Sequence, residues 1–223
     1  GNEFPDCPAL DDVNLDFGNG YYMDHHFHYG YHIYAAAVVA KHDPDWGRKY
    51  FDRILLYIRD IANPSLEDAA FPLFRHKDWY LGSSWASGLM SAGIPTPSHG
   101  RNQESSSEAI AAYEAIALFG DVMTKVFGHE ANSAEDLESA RLVRDVGRLL
   151  TATEISAAKR YWHVYNTTSH VNTYPPEYKE AVVGMLHETM ASFQTWFGPQ
   201  EFMSYGIQLM PFTSVGEVRD DPE

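Results

Sequence analysis

The stretch MDHHFHYGYHIYAAAVVAKH, residues 23–42, joins a titratable beginning to an apolar continuation. The alanines and valines of its second half are typical of a helix that packs inside a helical core. Its first half contains a carboxylate and several imidazoles, which an ordinary core helix does not need. Two interpretations compete. Either Asp24 is a catalytic acid in an aromatic and imidazole-rich cleft, or the histidines bind a metal ion; these are His25, His26, His28 and His32.

Composition narrows the class of protein and the kind of partner. A chain of 223 residues with 44% hydrophobic residues can bury one sizeable core, so we expect a single domain. A formal net charge of -15 argues against nucleic acid or an anionic membrane as partners, because both require a basic surface. A neutral substrate fits better. The single cysteine, Cys7, excludes an internal disulfide framework, and the sequence shows neither a membrane span nor a signal-peptide pattern.

The apolar pattern is helical wherever it is regular, and no strand alternation stands out. We therefore predict an all-α fold. Asp43 is a suitable N-cap and Pro44 a suitable first residue for the second helix, which Asn63 and Pro64 should end. The pattern predicts helices over residues 24–41, 43–63, 105–128, 133–164 and 175–198.

Residues 63–103 change character, because prolines, glycines and aromatic residues replace the helical pattern. This composition indicates long loops, and loops of this length usually carry function. Trp79, Tyr80 and Trp85 offer flat apolar faces, while His76 and Asp78 offer hydrogen bonds. Such a mixture suits a sugar, whose C–H faces stack on aromatic rings and whose hydroxyls need polar partners. The alternative for each tryptophan is a place in the core.

A second titratable cluster lies in GRNQESSSEA, residues 100–109. If a helix begins near Glu104, then Glu104 and Glu108 share one face, where their charges repel unless something uses them. The alternative is a solvated first helical turn, where acidic residues are common. Asp24 and His28 have the same spacing in the first cluster. Carboxylates at two helix beginnings are the arrangement needed to flank a scissile bond.

The histidines make a poor metal site. Only His28 and His32 are spaced to share a helix face, and no HExxH or similar ligand set completes the coordination shell. We therefore expect no metal and no cofactor. Hydrogen bonding in an aromatic wall, or simple packing of His25 or His26, is the commoner role of such side chains.

Four long segments occur in the order found in glycoside hydrolase family 81, which the chain resembles from about Phe17 to Thr213. They are DHHFHYGYHIYAAAVVAKHDPDWG, FPLFRHKDWYLGSSWASGL, GRNQESSSEAI and GIQLMPFT. The resemblance implies endo-hydrolysis of β-1,3-glucan with inversion of the anomeric configuration. It also implies that Asp24 is the general acid, Glu104 the general base, Glu108 a further essential acid and His28 an active-site histidine.

The resemblance further implies an (α/α)6 toroid preceded by a β-sandwich. Twelve average helices plus the long loops hardly fit in this chain. We therefore expect residues 1–223 to be one helical catalytic domain with an incomplete barrel, a segment of a longer protein that lacks the β-sandwich. The substrate-binding residues that we predict are His26, Tyr31, His76, Asp78, Trp79, Tyr80, Trp85, Arg101 and Asn102.

The resemblance also implies a β-1,3-glucan polysaccharide as the partner and a secreted or cell-wall location. Two other functions remain open: a non-catalytic β-glucan-binding module, and an α/α-toroid glycosidase or lyase of another specificity. Binding alone does not need the three acidic residues, and an acidic chain is a poor host for the uronates that lyases cleave.

Overall fold

The computed structural model describes residues 5–12, 14–86, 99–129, 133–165 and 172–211. These residues form two compact units. The first unit, which we call the sheet unit, comprises the described residues within Gly1–Asp24, His76–Glu108 and Thr153–Glu223. The second, the helical unit, comprises those within His25–Arg75 and Ala109–Ala152.

The four long helices lie close to their predicted positions. In order they are α1, His25–His42; α2, Pro44–Ala62; α3, Ser106–Phe127; and α4, Ala134–Tyr161. The first turn of α3 and the last part of α4 belong to the sheet unit, and the remainder of these helices to the helical unit. The chain is mostly helical, which confirms the predicted all-α class. None of the described helices has both the length and the apolar character needed to cross a membrane.

Local sequence signals set the ends of α2, as predicted. The Asp43 carboxylate accepts a hydrogen bond of 3.0 Å from the Trp46 amide, and Pro44 occupies the first helical position. The helix ends at Ala62, and Asn63 follows it in extended conformation.

The core of the helical unit depends on close helix contact as well as on large apolar side chains. A Cβ atom on Gly30 of α1 would lie 2.5 Å from Cβ of Ala112 in α3. A Cβ on Gly147 of α4 would lie 2.4 Å from the Ala117 amide nitrogen of α3. No side chain fits at either place, so glycine lets α1 and α4 approach the backbone of α3. Fully buried rings and branched chains fill the rest, among them Ile33, Tyr113, Ile116, Phe119 and Leu150.

The sheet unit is built around a small antiparallel sheet in the order β1, β2, β3. The strands are Asn102–Gln103, Met185–His187 and Ala191–Ser192, with Asn102 opposite His187. A short helix, α5, follows at Glu201–Ile207. The core of this unit packs two buried tryptophans against three buried aliphatic side chains; these residues are Trp85, Trp162, Val164, Val183 and Leu186.

The prediction of a helix over residues 175–198 was wrong. The segment instead contains β2, β3 and irregular chain. Residues 182–187 are all buried, so their apolar run reflects a short segment covered on every side rather than one face of a helix. Gly184 confirms the close fit, because a Cβ there would lie 2.0 Å from the Phe193 carbonyl oxygen. Helix α5 was not predicted.

Candidate active site

Three carboxylate side chains of the sheet unit, those of Asp24, Glu104 and Glu108, form the centre of the candidate site. Asp24 immediately precedes α1 in left-handed conformation, with φ of 56°, which aspartate tolerates better than most residues. Glu104 lies between β1 and α3, and only Glu108 is helical. The predicted helical i,i+4 spacing of Asp24 with His28 and of Glu104 with Glu108 was therefore wrong, because each helix begins after its first carboxylate.

Backbone hydrogen bonds connect the chain at Asp24 to the chain that leads to Glu104. The Asp24 amide donates to the Ala86 carbonyl at 2.8 Å, and the Ala86 amide donates to the Asn102 carbonyl at 2.7 Å. Ala86 is therefore bonded to both segments, and Asn102 is two residues before Glu104. This pairing explains how carboxylates distant in sequence reach one site.

Glu104 is held at both its side chain and its main chain. Its side-chain oxygen Oε1 accepts a hydrogen bond of 2.8 Å from the Trp196 amide, and its carbonyl accepts one of 2.6 Å from Gln208 Nε2. The residue is only 9% exposed. A buried carboxylate with such a donor has a fixed direction, which a reacting group requires.

The three serines of the ESSSE motif tie the beginning of α3 to the end of α5. Gln208 Oε1 accepts hydrogen bonds from the Ser106 amide at 3.0 Å and from its hydroxyl at 2.7 Å. The hydroxyls of Ser105 and Ser107 donate to the Ile207 carbonyl at 3.1 and 2.9 Å. The serines therefore position the segment that carries Glu104 and Glu108.

The surroundings of Asp24 and Glu104 change the pKa values of the two carboxyl groups differently. Burial, followed by the charges of Glu104 and then Glu108, raises the pKa of Asp24 from 3.8 to about 7. Burial also raises the pKa of Glu104, and Glu108 adds to that rise, but the hydrogen bond from the Trp196 amide opposes it. Asp24 is thus suited to hold a proton near neutral pH beside a glutamate whose ionised form is hydrogen-bonded.

The aromatic loop divides into exposed and buried rings. Trp79 is 49% exposed and Tyr80 95% exposed, so both rings are open to a ligand. Trp85 is 2% exposed and lies in the core, where its indole N–H donates to Asp78 Oδ2 at 3.2 Å. A stacking role for Trp85 is therefore not compatible with its burial. His76 is also buried, with Nδ1 3.0 Å from the Trp85 carbonyl oxygen, so it holds the loop together.

A buried ion pair fixes this loop to α4. Lys77 Nζ donates to Glu154 Oε2 at 2.8 Å, and both side chains are at most 2% exposed. The Ser84 amide donates to the other Glu154 oxygen at 2.8 Å. These bonds hold the chain two residues before Ala86, which is bonded to both carboxylate-bearing segments.

Arg101 and Asn102, which were predicted to bind substrate, already have protein partners. The Arg101 guanidinium contacts Glu188 Oε1 at 2.7 and 2.9 Å and lies 5.4 Å from the centre of the Trp85 ring. Asn102 Oδ1 accepts a hydrogen bond of 3.4 Å from the Trp196 indole. The Arg101 charge is therefore paired within the protein.

The remaining predicted residues, His26, His28 and Tyr31, lie on α1 in the helical unit. His26 is fully buried, His28 is partly buried, and Tyr31 is 46% exposed. Tyr31 alone of the three has a largely exposed side chain.

His25 belongs to a buried charge network of the helical unit. Its Nδ1 lies 2.6 Å from Asp60 Oδ2, and the Arg75 guanidinium donates to Asp60 Oδ1 at 3.0 Å. Within the described ranges, no three histidine, cysteine, aspartate or glutamate side chains are grouped to bind one metal ion.

The sequence did not reveal three residues of the site: Trp196, His187 and Gln208. Trp196 and His187 lie in the segment predicted as a helix, and its apolar pattern gave no indication that they belong to a site. Gln208 lies in the segment GIQLMPFT, but nothing local indicates that its amide contacts Glu104.

A carboxyl group whose pKa is raised to about 7, beside a carboxylate held by a backbone amide, is typical of acid–base hydrolases, glycosidases among them. Residues 7–223 match the family model described as the glycosyl hydrolase family 81 C-terminal domain. The chain therefore belongs to glycoside hydrolase family 81.

Relatives in plants, bacteria and fungi support this membership. A glucan endo-1,3-beta-D-glucosidase of Glycine max is 36% identical over 211 residues, which cover 92% of this chain and 28% of the relative. One of Acetivibrio thermocellus is 35% identical, covering 86% of this chain and 22% of the relative. The primary septum glucan endo-1,3-beta-D-glucosidase of Schizosaccharomyces pombe is 32% identical, covering 92% and 18%. The chain thus spans between 18% and 28% of the length of these relatives.

A solved structure shares the fold. It is a glycoside hydrolase family 81 protein from Clostridium thermocellum, in a glutamate-to-alanine mutant form. The TM-score is 0.74 at 33% sequence identity, over 90% of this chain and 25% of that one. The likeness is consistent with the predicted α/α-toroid class.

Proposed function

We propose that the protein containing this chain hydrolyses internal β-1,3-glucosidic bonds in β-1,3-glucan. The observation that carries the proposal is the pKa of Asp24, raised to about 7 by burial and by two neighbouring glutamates. Simple binding of a neutral polysaccharide gives no reason to maintain such a cluster, whose mutual repulsion costs stability. The names of the relatives support β-1,3-glucan as the substrate.

In this mechanism Asp24 donates its proton to the oxygen of the leaving glucosyl unit. Glu104, ionised and held by the Trp196 amide, accepts a proton from the water that attacks the anomeric carbon. The charge of Glu108 raises the pKa of both groups. It therefore helps to keep Asp24 protonated until water attacks the anomeric carbon. Each carboxyl group then has one role, which its own environment supports.

The proposed mechanism inverts the anomeric configuration. Water is activated on the face of the sugar opposite the departing oxygen, so a β-glucosidic bond yields an α-anomer first. Proton NMR during the first minutes of hydrolysis distinguishes the anomers before they equilibrate. A β-anomer as the first product would contradict the assignment of Glu104 as a base and indicate a retaining mechanism with a nucleophile.

Specificity is tested by release of reducing sugar from laminarin, with cellulose and a polyuronate as controls. We expect activity on laminarin alone. The acidic chain disfavours the polyuronate, and the names of the relatives favour a β-1,3 linkage over that of cellulose. Binding of laminarin without hydrolysis would favour a glucan-binding module. Cleavage of another control would indicate a glycosidase or lyase of different specificity.

Two near-isosteric variants test the roles of the carboxyl groups. Asp24→Asn and Glu104→Gln each remove proton transfer and leave the size of the side chain unchanged, so hydrolysis should be abolished while oligosaccharide binding persists. Glu201→Gln is a matched control, because Glu201 belongs to the same unit and is exposed in the first turn of α5. Substantial turnover by folded Asp24→Asn protein would refute its role as the acid.

The proposed substrate also suggests where the protein acts. β-1,3-glucan is a cell-wall and extracellular polymer, so we propose a secreted or cell-wall location. Fractionation of the source cells, with detection by a specific antibody, tests this proposal.

A further inference from the structure

Two aromatic rings, those of Trp196 and His187, lie next to the segment that carries Glu104. The Trp196 amide donates a hydrogen bond to the Glu104 carboxylate, so the indole ring belongs to the residue that makes this contact. The indole N–H donates to Asn102 Oδ1, and the ring meets His187 in an edge-on arrangement with centroids 6.5 Å apart. Trp196 nevertheless is 58% exposed. Its ring is therefore held in place while much of its surface remains open.

His187 provides an unused polar group at the same place. It is 5% exposed, and its Nδ1 is buried with no hydrogen-bond partner in the described part of the chain. A buried polar atom without a partner costs free energy, so its retention calls for an explanation such as a bound ligand or water. Burial, followed by the charge of His99, lowers the pKa of His187, so the imidazole is neutral at neutral pH. A neutral imidazole offers one donor and one acceptor.

These features together select the chemistry of the ligand. An exposed and fixed indole face suits the C–H face of a pyranose ring, while a neutral imidazole suits a hydroxyl group. An anionic ligand finds little attraction here, because the nearby Arg101 guanidinium is paired with Glu188. A purely apolar ligand would leave the imidazole unused.

We propose that Trp196 and His187 form the subsite that binds the glucosyl unit next to Glu104. The inference rests on the proposed glucan hydrolysis and adds the residues that place the sugar at the base. Asn102 takes part as a positioning residue, since its side-chain oxygen holds the indole. The subsite and the base share one segment, so a sugar stacked on Trp196 lies beside the carboxylate that activates water.

Binding is best measured where turnover is blocked. In a Glu104→Gln background, Trp196→Ala removes the indole and keeps the main-chain amide that binds residue 104. Titration calorimetry with a β-1,3-gluco-oligosaccharide should show roughly tenfold weaker binding, as expected for loss of an aromatic stacking partner. Trp196→Phe should restore most of the affinity. Phe202→Ala, a 71% exposed aromatic residue on α5 of the same unit, is the matched control and should bind like the background protein.

Two further measurements make the outcome specific. The intrinsic fluorescence of the background protein should change on oligosaccharide binding, and Trp196→Phe should lose most of that change. With Glu104 intact, His187→Ala should raise KM more than it lowers kcat, and His187→Asn, which retains a donor and an acceptor, should recover part of the loss.

The possible results separate this inference from the proposed function. If the unmodified protein hydrolyses laminarin but Trp196→Ala binds the oligosaccharide with unchanged affinity, the subsite is refuted and the function stands. If laminarin is not hydrolysed, the function is refuted, while a loss of oligosaccharide binding in Trp196→Ala still supports the subsite. Absence of binding by the background protein itself would overturn the subsite.

Discussion

Asp24→Asn should alter the pH dependence of stability as well as remove activity. Burial, with added repulsion from Glu104 and Glu108, raises the pKa of Asp24 from 3.8 to about 7 in the folded protein. Between these two pH values the native protein keeps a proton that the unfolded chain has released. The free energy of unfolding of the unmodified protein must therefore fall as the pH rises through this range.

The size of this effect follows from the shift. Three pKa units at 1.36 kcal/mol each give about 4 kcal/mol as an upper limit. Asp24 titrates together with two other carboxyl groups, which reduces the expected loss to roughly 2–3 kcal/mol between pH 4 and pH 8. Asparagine cannot ionise, so the variant lacks this loss and gains relative stability as the pH rises.

Urea unfolding of both proteins at pH 4, 5, 6, 7 and 8 and constant ionic strength measures the difference. The other titratable groups are present in both proteins, so the difference between the two curves reports Asp24 and its coupling to Glu104 and Glu108. A second variant, Glu108→Gln, removes one of the causes of the shift. It should move the falling part of the stability curve to lower pH without abolishing it, because burial is the larger cause.

Parallel stability curves for the unmodified protein and Asp24→Asn would refute this reasoning. They would mean that Asp24 titrates in the folded protein as it does in the unfolded chain. The pH profile of kcat/KM is an independent check. It should fall above about pH 7, because the proposed acid loses its proton there.

Three other predictions concern the supports of the site and metal dependence. Glu154→Gln leaves the Lys77 ammonium buried without its charged partner and should cost about 3 kcal/mol in urea unfolding, whereas Glu138→Gln in an exposed pair should cost less than about 0.5 kcal/mol. Gln208→Ala leaves the Ser106 amide and several carbonyl groups without their hydrogen-bond partner, so it should lower the free energy of unfolding by roughly 2–4 kcal/mol and lower kcat. Unchanged kcat would show that Gln208 does not position Glu104. Dialysis against EDTA should leave laminarin hydrolysis unchanged, and loss of activity restored by zinc would revive a histidine-bound metal.

The sequence was sufficient to predict the four long helices and the chemical types present at the site. Helix α2 illustrates why, since its apolar period, the Asp43 cap and the terminating Asn63 are all local signals. The carboxylates and exposed aromatics were also visible as residue types. Their exact placement was not, because Asp24 and Glu104 precede their helices, and a helix boundary predicted from pattern alone is uncertain by a few residues.

Only the tertiary structure decided how these residues meet. The bonds of Ala86 to Asp24 and Asn102, and of the Trp196 amide to Glu104, join segments that are far apart in sequence. Backbone hydrogen bonds of this kind involve groups common to every residue, so no periodicity or composition marks their partners. The same reason hid the strands within residues 175–198. Strand β2, which is buried throughout, has the apolar run of a buried helix, and only its neighbours in the fold distinguish the two.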